Sequence, residues 1–303
     1  AVRDSKKNGG HLQQSVRERF RAIRAMRVQH PLTVLCATLG VSRSGYLAWA
    51  NGRRSVREQR DAQLRPKLRA AFAATRQTYG YPRLTVELRA QGEAVGKGRV
   101  ARLMRAEGLQ GRQRRCYRPR TTQSDHASPI APNLAVTPPR RCDQVWRADI
   151  TYLPTDQGWL YLAVVLDAYS KRVLGWAFST SLESTFVLAA LRMAITRRGG
   201  RCAPGLVLHS DRGVQYASAR FRAVLSAAGI TASMSRRGNC YDNAMAESFF
   251  ATLKLELTYR HHFVDHSHAQ RATFEWIEAF YNRQRRHSSL GYRSPVDFEH
   301  QQN

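Results

Sequence analysis

The sequence predicts an α/β core in residues 143–258, preceded by an all-α, strongly basic front half. Three observations carry that prediction. Strand-like and helix-like stretches follow one another through residues 143–258 in the order βββαβαβα, the grammar of a mixed five-stranded sheet with helices on both faces. Up to residue 109, apolar residues recur at helical spacing, and Pro31, Gly92 and Gly108 stop the segments. Charge divides the chain in the same way. Residues 1–142 carry 30 Lys and Arg against 8 Asp and Glu, whereas residues 143–303 carry 19 against 14.

The net charge of +27 on 303 residues, with a pI of about 11.1, points to nucleic acid or an anionic membrane surface. The longest apolar run is too short to span a bilayer and no signal-peptide pattern opens the sequence, so nucleic acid is the preferred partner and a membrane is not expected. Cys36, Cys116, Cys142, Cys202 and Cys240 are dispersed without CxxC spacing, which fits reduced thiols in the cytoplasm. The first residue is Ala1 rather than Met, which fits a trimmed chain or part of a longer product.

Residues 1–10 read as a polar lead. In region 1–54, residues 13–29 have an apolar stripe opposite an Arg-rich face. Leu32, Leu35 and Leu39 fit a helix, Gly40-Val41 a tight turn, and Ser42 the cap of a helix through Trp49. That is the spacing of a helix–turn–helix, whose second helix, beginning at Arg43, would enter a major groove. An ordinary helical hairpin is the alternative. Region 55–109 holds a long basic helix at 55–76, one starting just after Pro82, and one in GKGRVARLMRAEG, where Arg99, Arg102 and Arg105 share a face. Residues 110–142, with Arg114 and Arg115, form a basic Pro- and Ser-containing linker suited to lie along a DNA backbone.

In region 143–258, VWRADITYL is the first strand. WLYLAVVLDAYS and KRVLGWAFST form a hairpin turning near Ser170, and Ser181 is expected to cap the helix that follows. GLVLHS and ITASMS are the last two strands, with SARFRAVLSAAG between them. RRGNCYDN reads as a loop, and Asp242 and Asn243 as caps of the helix AMAESFFATLKLEL. Region 259–303 is a helical extension. Its four histidines in YRHHFVDHSH read as a surface loop rather than a zinc module, because no cysteine lies near.

Three acids make little sense as packing. Asp149 sits inside a strand, where Asp is disfavoured. Asp211 ends LVLHSD at a turn, and alone it would read as a turn residue. Glu247 lies on a helix with Lys254 two turns on and on the same face, too far for the usual i,i+4 pair. If the first and fourth strands are neighbours, the three carboxylates converge into a hard-oxygen site for Mg²⁺ or Mn²⁺. Two such ions about 3.5–4 Å apart clamp the attacking and leaving oxygens of a phosphoryl transfer. Asp167, the main competitor, ends its strand at the hairpin and reads as structural. His209 fits equally a position near the metals and a satisfied buried histidine.

HSDRGVQYAS, RRGNCYDNAMAESFFATLKLE and YNRQRRHSSLGYRSPVDFE resemble the integrase core of bacterial insertion-sequence transposases, in particular the second-frame product of the insertion-sequence-three family, related to retroviral integrases. YGYPRLTVELRAQG and VARLMRAEGL resemble that product's N-terminal helical region, so the likeness runs from about residue 12 to 300. The resemblance implies a ribonuclease-H-like fold, a catalytic and metal-binding triad on Asp149, Asp211 and Glu247 with two divalent ions, and a DNA-contacting basic residue on Lys254. It also implies 3′-end cleavage and strand transfer of an insertion sequence by the copy-out, paste-in route, on terminal inverted repeats and target DNA. An oligomer of this chain on DNA, at the bacterial nucleoid, goes with that. Family members are commonly made by frameshifting as fusions with an upstream product bearing another helix–turn–helix and a zipper. That part is absent from this sequence, as is the His/Cys zinc module of retroviral integrases. The competing reading is a DNA-binding regulator with an inactive integrase-like fold. It calls for a lost triad carboxylate, and all three are present.

Overall fold

The computed structural model describes residues 15–111, 129–134, 137–236 and 243–302, which fall into two compact units, residues 1–70 and 71–303. Arg114, Arg115 and Asp242, the expected linker from 112 to 128, and most of the RRGNCYDN loop lie outside the described residues.

In the first unit, α1 (Val16–Met26) opens on a reciprocal cap. Ser15 N–H donates to Glu18 at 2.7 Å, and Glu18 N–H donates to the Ser15 hydroxyl at 3.4 Å. α2 (Leu32–Thr38) and α3 (Arg43–Ala50) follow as the spacing predicts. Gly40 takes φ 61° in the turn between them, and the Ser42 hydroxyl accepts from Gly45 N–H at 3.1 Å. Phe20, Ile23, Leu35, Cys36, Leu39 and Tyr46 bury themselves between the three helices. Arg43, at the start of α3, is exposed. The boundary between units falls within α4 (Val56–Ala74).

The second unit continues with α5 (Tyr81–Ala90) and α6 (Lys97–Ala106). α5 begins one residue before Pro82, which occupies the first turn, where its missing N–H costs nothing. The strands β1 (Val145–Thr155), β2 (Gly158–Asp167), β3 (Val173–Ser179), β4 (Val207–Ser210) and β5 (Thr231–Met234) form one mixed sheet in the order β3-β2-β1-β4-β5. β1 is antiparallel to β2 and parallel to β4, so the first and fourth strands are neighbours.

Strand pleating sends alternate residues to opposite faces. Trp146 and Ala148 join a core with residues of α7 (Ser184–Arg197) and α9 (Ala219–Ala227). β3 lies so close to α7 that a Cβ on Gly175 would stand 2.0 Å from the Ala190 carbonyl oxygen; only glycine fits. The opposite row of β1 and β2 carries the cross-strand pairs Asp149–Val164, Thr151–Leu162 and Leu153–Leu160. α10 (Ala244–Glu256) and α11 (His266–Glu275) both contact β1.

Four expectations need correction. α7 starts at Ser184 after Glu183, without a side-chain cap from Ser181, whose own N–H donates to Ser179. A single-turn helix, α8 (Val214–Ala217), stands between β4 and α9. Asn243 occupies the N-cap position of α10 but its side chain caps nothing. α11 runs on into a π-helical turn, Trp276–Tyr281, where Trp276, Phe280 and Tyr281 cluster with Phe249. The chain closes with α12 (Pro295–His300), capped by Ser294.

Candidate active site

β1 and β4 pair in parallel up to Arg147↔His209. Two residues further along each strand direction come Asp149 and Asp211, which that register sets abreast, on strands about 4.8 Å apart. Asp211 lies just past the end of β4, and its Oδ1 accepts Gly213 N–H at 2.9 Å. Glu247 is exposed in the first turn of α10, where the helix dipole favours a negative charge.

Electrostatics tie the three together. Asp149 is held well above the usual carboxylate range, first by burial and then by Asp211, with Glu247 adding to it. The hydrogen bond from Ile150 N–H to Asp149 Oδ1 at 2.8 Å, and the Lys254 ammonium, pull the other way. Lys254 stands with Nζ 4.4 Å from the centre of the Tyr152 ring, and burial lowers its pKa against the opposing pull of Asp149. Like charges crowded in an apolar row are costly, and a divalent cation reverses that cost.

Two tyrosines here were not singled out in the sequence. Tyr152 supplies the face beneath Lys254. Tyr216, on α8, is buried with its hydroxyl unpartnered among the described residues, and its pKa is raised well above normal by burial, Asp149 and Asp211. The only signal for it was its place five residues after Asp211 in DRGVQYAS.

Other candidates resolve differently. His209 is wholly buried, with Nδ1 2.9 Å from Ser233 Oγ and Nε2 3.0 Å from Ser235 Oγ, a satisfied histidine. Asp167 is structural: Oδ1 accepts the N–H groups of Tyr169 and Ser170 at 2.8 Å, and Oδ2 accepts that of Asp143 at 2.7 Å. Cys142, Asp167 and Glu299 do bring three potential ligand atoms within 4.8 Å of one another. Their oxygens are already committed, since Glu299 accepts from Arg198, Arg172 and Ser170 at 2.6–2.9 Å. The histidines of 259–268 do not converge: His261 Nδ1 lies 3.0 Å from the Leu257 carbonyl oxygen and His262 Nε2 3.0 Å from Asp156. On α6, Arg105 is exposed, while Arg99 and Arg102 are half-buried.

Residues 139–240 and 228–295 match two family models, each described as an integrase core domain, and residues 58–117 match an HTH-like domain. That HTH-like match covers the second helical region, α4 to α6. The insertion element IS600 uncharacterized 31 kDa protein of Shigella sonnei is 44% identical over 266 residues, covering 87% of this chain and 97% of that protein. Transposase InsF for insertion sequence IS3A of Escherichia coli strain K12 is 41% identical over 276 residues, covering 88% and 93%. Among solved structures, the simian T-cell lymphotropic virus intasome in complex with PP2A regulatory subunit B56 gamma aligns at 17% identity and TM-score 0.45, over 73% of this chain and 71% of that one. Among the described residues, no helix is long and apolar enough to cross a membrane.

Proposed function

The chain belongs to the insertion-sequence-three family of transposases, enzymes with an integrase-type polynucleotidyl-transferase core, and from that premise we propose that Asp149, Asp211 and Glu247 are its catalytic triad, cutting the 3′ ends of an insertion sequence and joining them to target DNA. The observation that carries this reading is the parallel register that sets Asp149 and Asp211 abreast, with Glu247 raising the pKa of Asp149 from α10.

An all-oxygen donor set with surplus negative charge fits Mg²⁺ or Mn²⁺, two ions in this proposal, held by the three carboxylates. Such ions supply charge neutralisation at the phosphodiester and activation of the nucleophile. The residues themselves set the geometry. The Ile150 N–H fixes one Asp149 oxygen, and the Gly213 N–H fixes one of Asp211. Lys254, steadied on Tyr152, offers an ammonium to a phosphate of the element's end. In the first step water attacks the phosphodiester and the 3′-oxygen leaves as a free hydroxyl. In the second that 3′-OH attacks a target phosphodiester and displaces another 3′-oxygen. Neither step needs a protein–DNA bond. The route is copy-out, paste-in, carried out by an oligomer of this chain, alone or with an upstream-frame product.

The proposed division of labour gives residues 1–54 and 55–109 the DNA grip, through Arg43, Arg99, Arg102 and Arg105, with the linker's Arg114 and Arg115. The core from 143 to 258 does the chemistry, and 259–303 braces it. The test is strand transfer with a pre-cut 3′-OH duplex beside hydrolysis of an uncut one, on Asp149→Asn, Asp211→Asn and Glu247→Gln. Loss of both activities with DNA binding intact supports the triad. Undiminished strand transfer in any one of them removes that residue, and binding without chemistry in the unaltered protein leaves the inactive regulator.

A further inference from the structure

α10 carries Glu247 and Lys254 on one flank, and its other flank lines an open cavity of about 250 Å³. Four cations from separate parts of the second unit meet there: Arg83 of α5, Lys171 of the β2–β3 turn, and Arg285 and Arg286 beyond the π-helical turn. Two carboxylates answer them. Glu256 binds Arg285 at 2.8 Å and Glu87 binds Arg286 at 2.7 Å. Arg83 Nη1 lies 3.7 Å from Glu256, buried and without a hydrogen-bond partner. Among the described residues, Lys171 donates to neutral acceptors, the Ala168 carbonyl at 2.6 Å and the Met245 sulfur at 3.4 Å, with Asp167 acting on it from further away. The crowding is felt by His287 in the same wall. Burial, then Arg285, Arg83 and Lys171, push it well below its ordinary range.

Cation excess, an Arg83 guanidinium nitrogen held by no more than a 3.7 Å ion pair to Glu256, and the Ser248 and Ser289 side chains in the lining bring polar groups to the cavity from several elements. That suits a tetrahedral oxyanion better than a planar carboxylate, which one guanidinium already satisfies. The cavity is far larger than the roughly 10–15 Å³ that one water requires. We propose that this cavity is a phosphate seat, taking a backbone phosphate of the DNA strand that crosses α10, or free phosphate by the same chemistry. The DNA source rests on the proposed function; the seat does not. A helix is about 10–12 Å across and a strand advances 3.4 Å per nucleotide, which places the seated phosphate about three nucleotides from the one at Glu247.

The test uses the full chain with Ca²⁺ and reads binding, not cleavage, so that it stands apart from the fate of the triad. Lys171→Gln and the exposed Ser289→Glu are compared with Ser226→Glu, the same charge change on the exposed side of α9. Fluorescence anisotropy with a 30-base-pair duplex across a salt series is expected to show several-fold weaker binding for both cavity variants. Their salt slope should be shallower by about one, and Ser226→Glu should have a smaller effect. In a second arm, inorganic phosphate is expected to raise the melting temperature of the unaltered protein but not of the cavity variants. A response in the DNA arm supports the seat with DNA as its source; a response in the phosphate arm alone assigns it to free phosphate. Unaltered affinity, slope and phosphate response in correctly folded variants overturn it.

Discussion

Asp149 and Asp167 lie on adjacent, paired strands, and burial raises both, yet they answer it in opposite ways. Asp167 spends both oxygens on three backbone N–H groups, with Arg198 3.7 Å away. Asp149 receives one N–H and faces two further carboxylates. A buried acid whose surroundings supply its partners holds a fold together. One whose surroundings add repulsion is where the proposed function places a cation.

The comparison breaks most decisively on activity. Asp149→Asn, Asp211→Asn and Glu247→Gln are each expected to lower cleavage and strand transfer by about 10³-fold or more, with double changes no worse than single ones. Asp167→Asn should leave turnover per folded molecule unchanged; a dead Asp167→Asn beside an active triad variant reverses the two roles.

Stability comes next. No orientation of an amide at 167 avoids setting NH₂ against an N–H, since both oxygens accept. Asp167→Asn is expected to cost about 3 kcal/mol in urea unfolding, as for a broken buried pair. Asp149→Asn keeps its single acceptor. Because the folded-state pKa of Asp149 is raised, its ionisation opposes folding above the unfolded value, so removing that charge in chelator should raise the melting temperature. A fall would remove the repulsive character of the site.

A metal titration sharpens the contrast. Mg²⁺ or Mn²⁺ at about 100 times its dissociation constant is expected to stabilise the unaltered protein by about 2.7 kcal/mol, read by calorimetry, and to do nothing for Glu247→Gln. Equal stabilisation of both would move the ion elsewhere.

The smallest effect is confined to acid. Although burial pushes Glu299 up, its hydrogen bonds from Arg198, Ser170 and Arg172 bring it down to about 2. A folded pKa below the unfolded one gives stability that is complete above about pH 4.5 and lost as pH falls to about 2. Glu299→Gln should flatten the melting profile across that window, and an unchanged profile would remove Glu299 from the clasp.

Much of this was legible. Helix limits in the front half followed from Ser42, Gly92 and Gly108, because caps and stops act within a few residues. The sheet followed from period-two alternation, and Asp149 stood out because a carboxylate inside an apolar strand has no local excuse. Long-range partnership was not legible. Nothing beside Asp167 announces the Asp143 N–H, and nothing beside His209 announces Ser233 and Ser235. Ser181 has the chemistry of a cap, but the chain bends first and spends its N–H on Ser179. The cavity beyond α10 draws its cations from position 83, position 171 and the pair 285–286, three places too far apart in sequence for any pattern to join them.

The clasp on Glu299 also sets a timetable. Ser170 and Arg172 are made 129 and 127 residues before the carboxylate that holds them. At roughly 5–20 residues per second that is a wait on the order of ten seconds. Until Glu299 is made, the β2–β3 corner of the core lacks its final fastening.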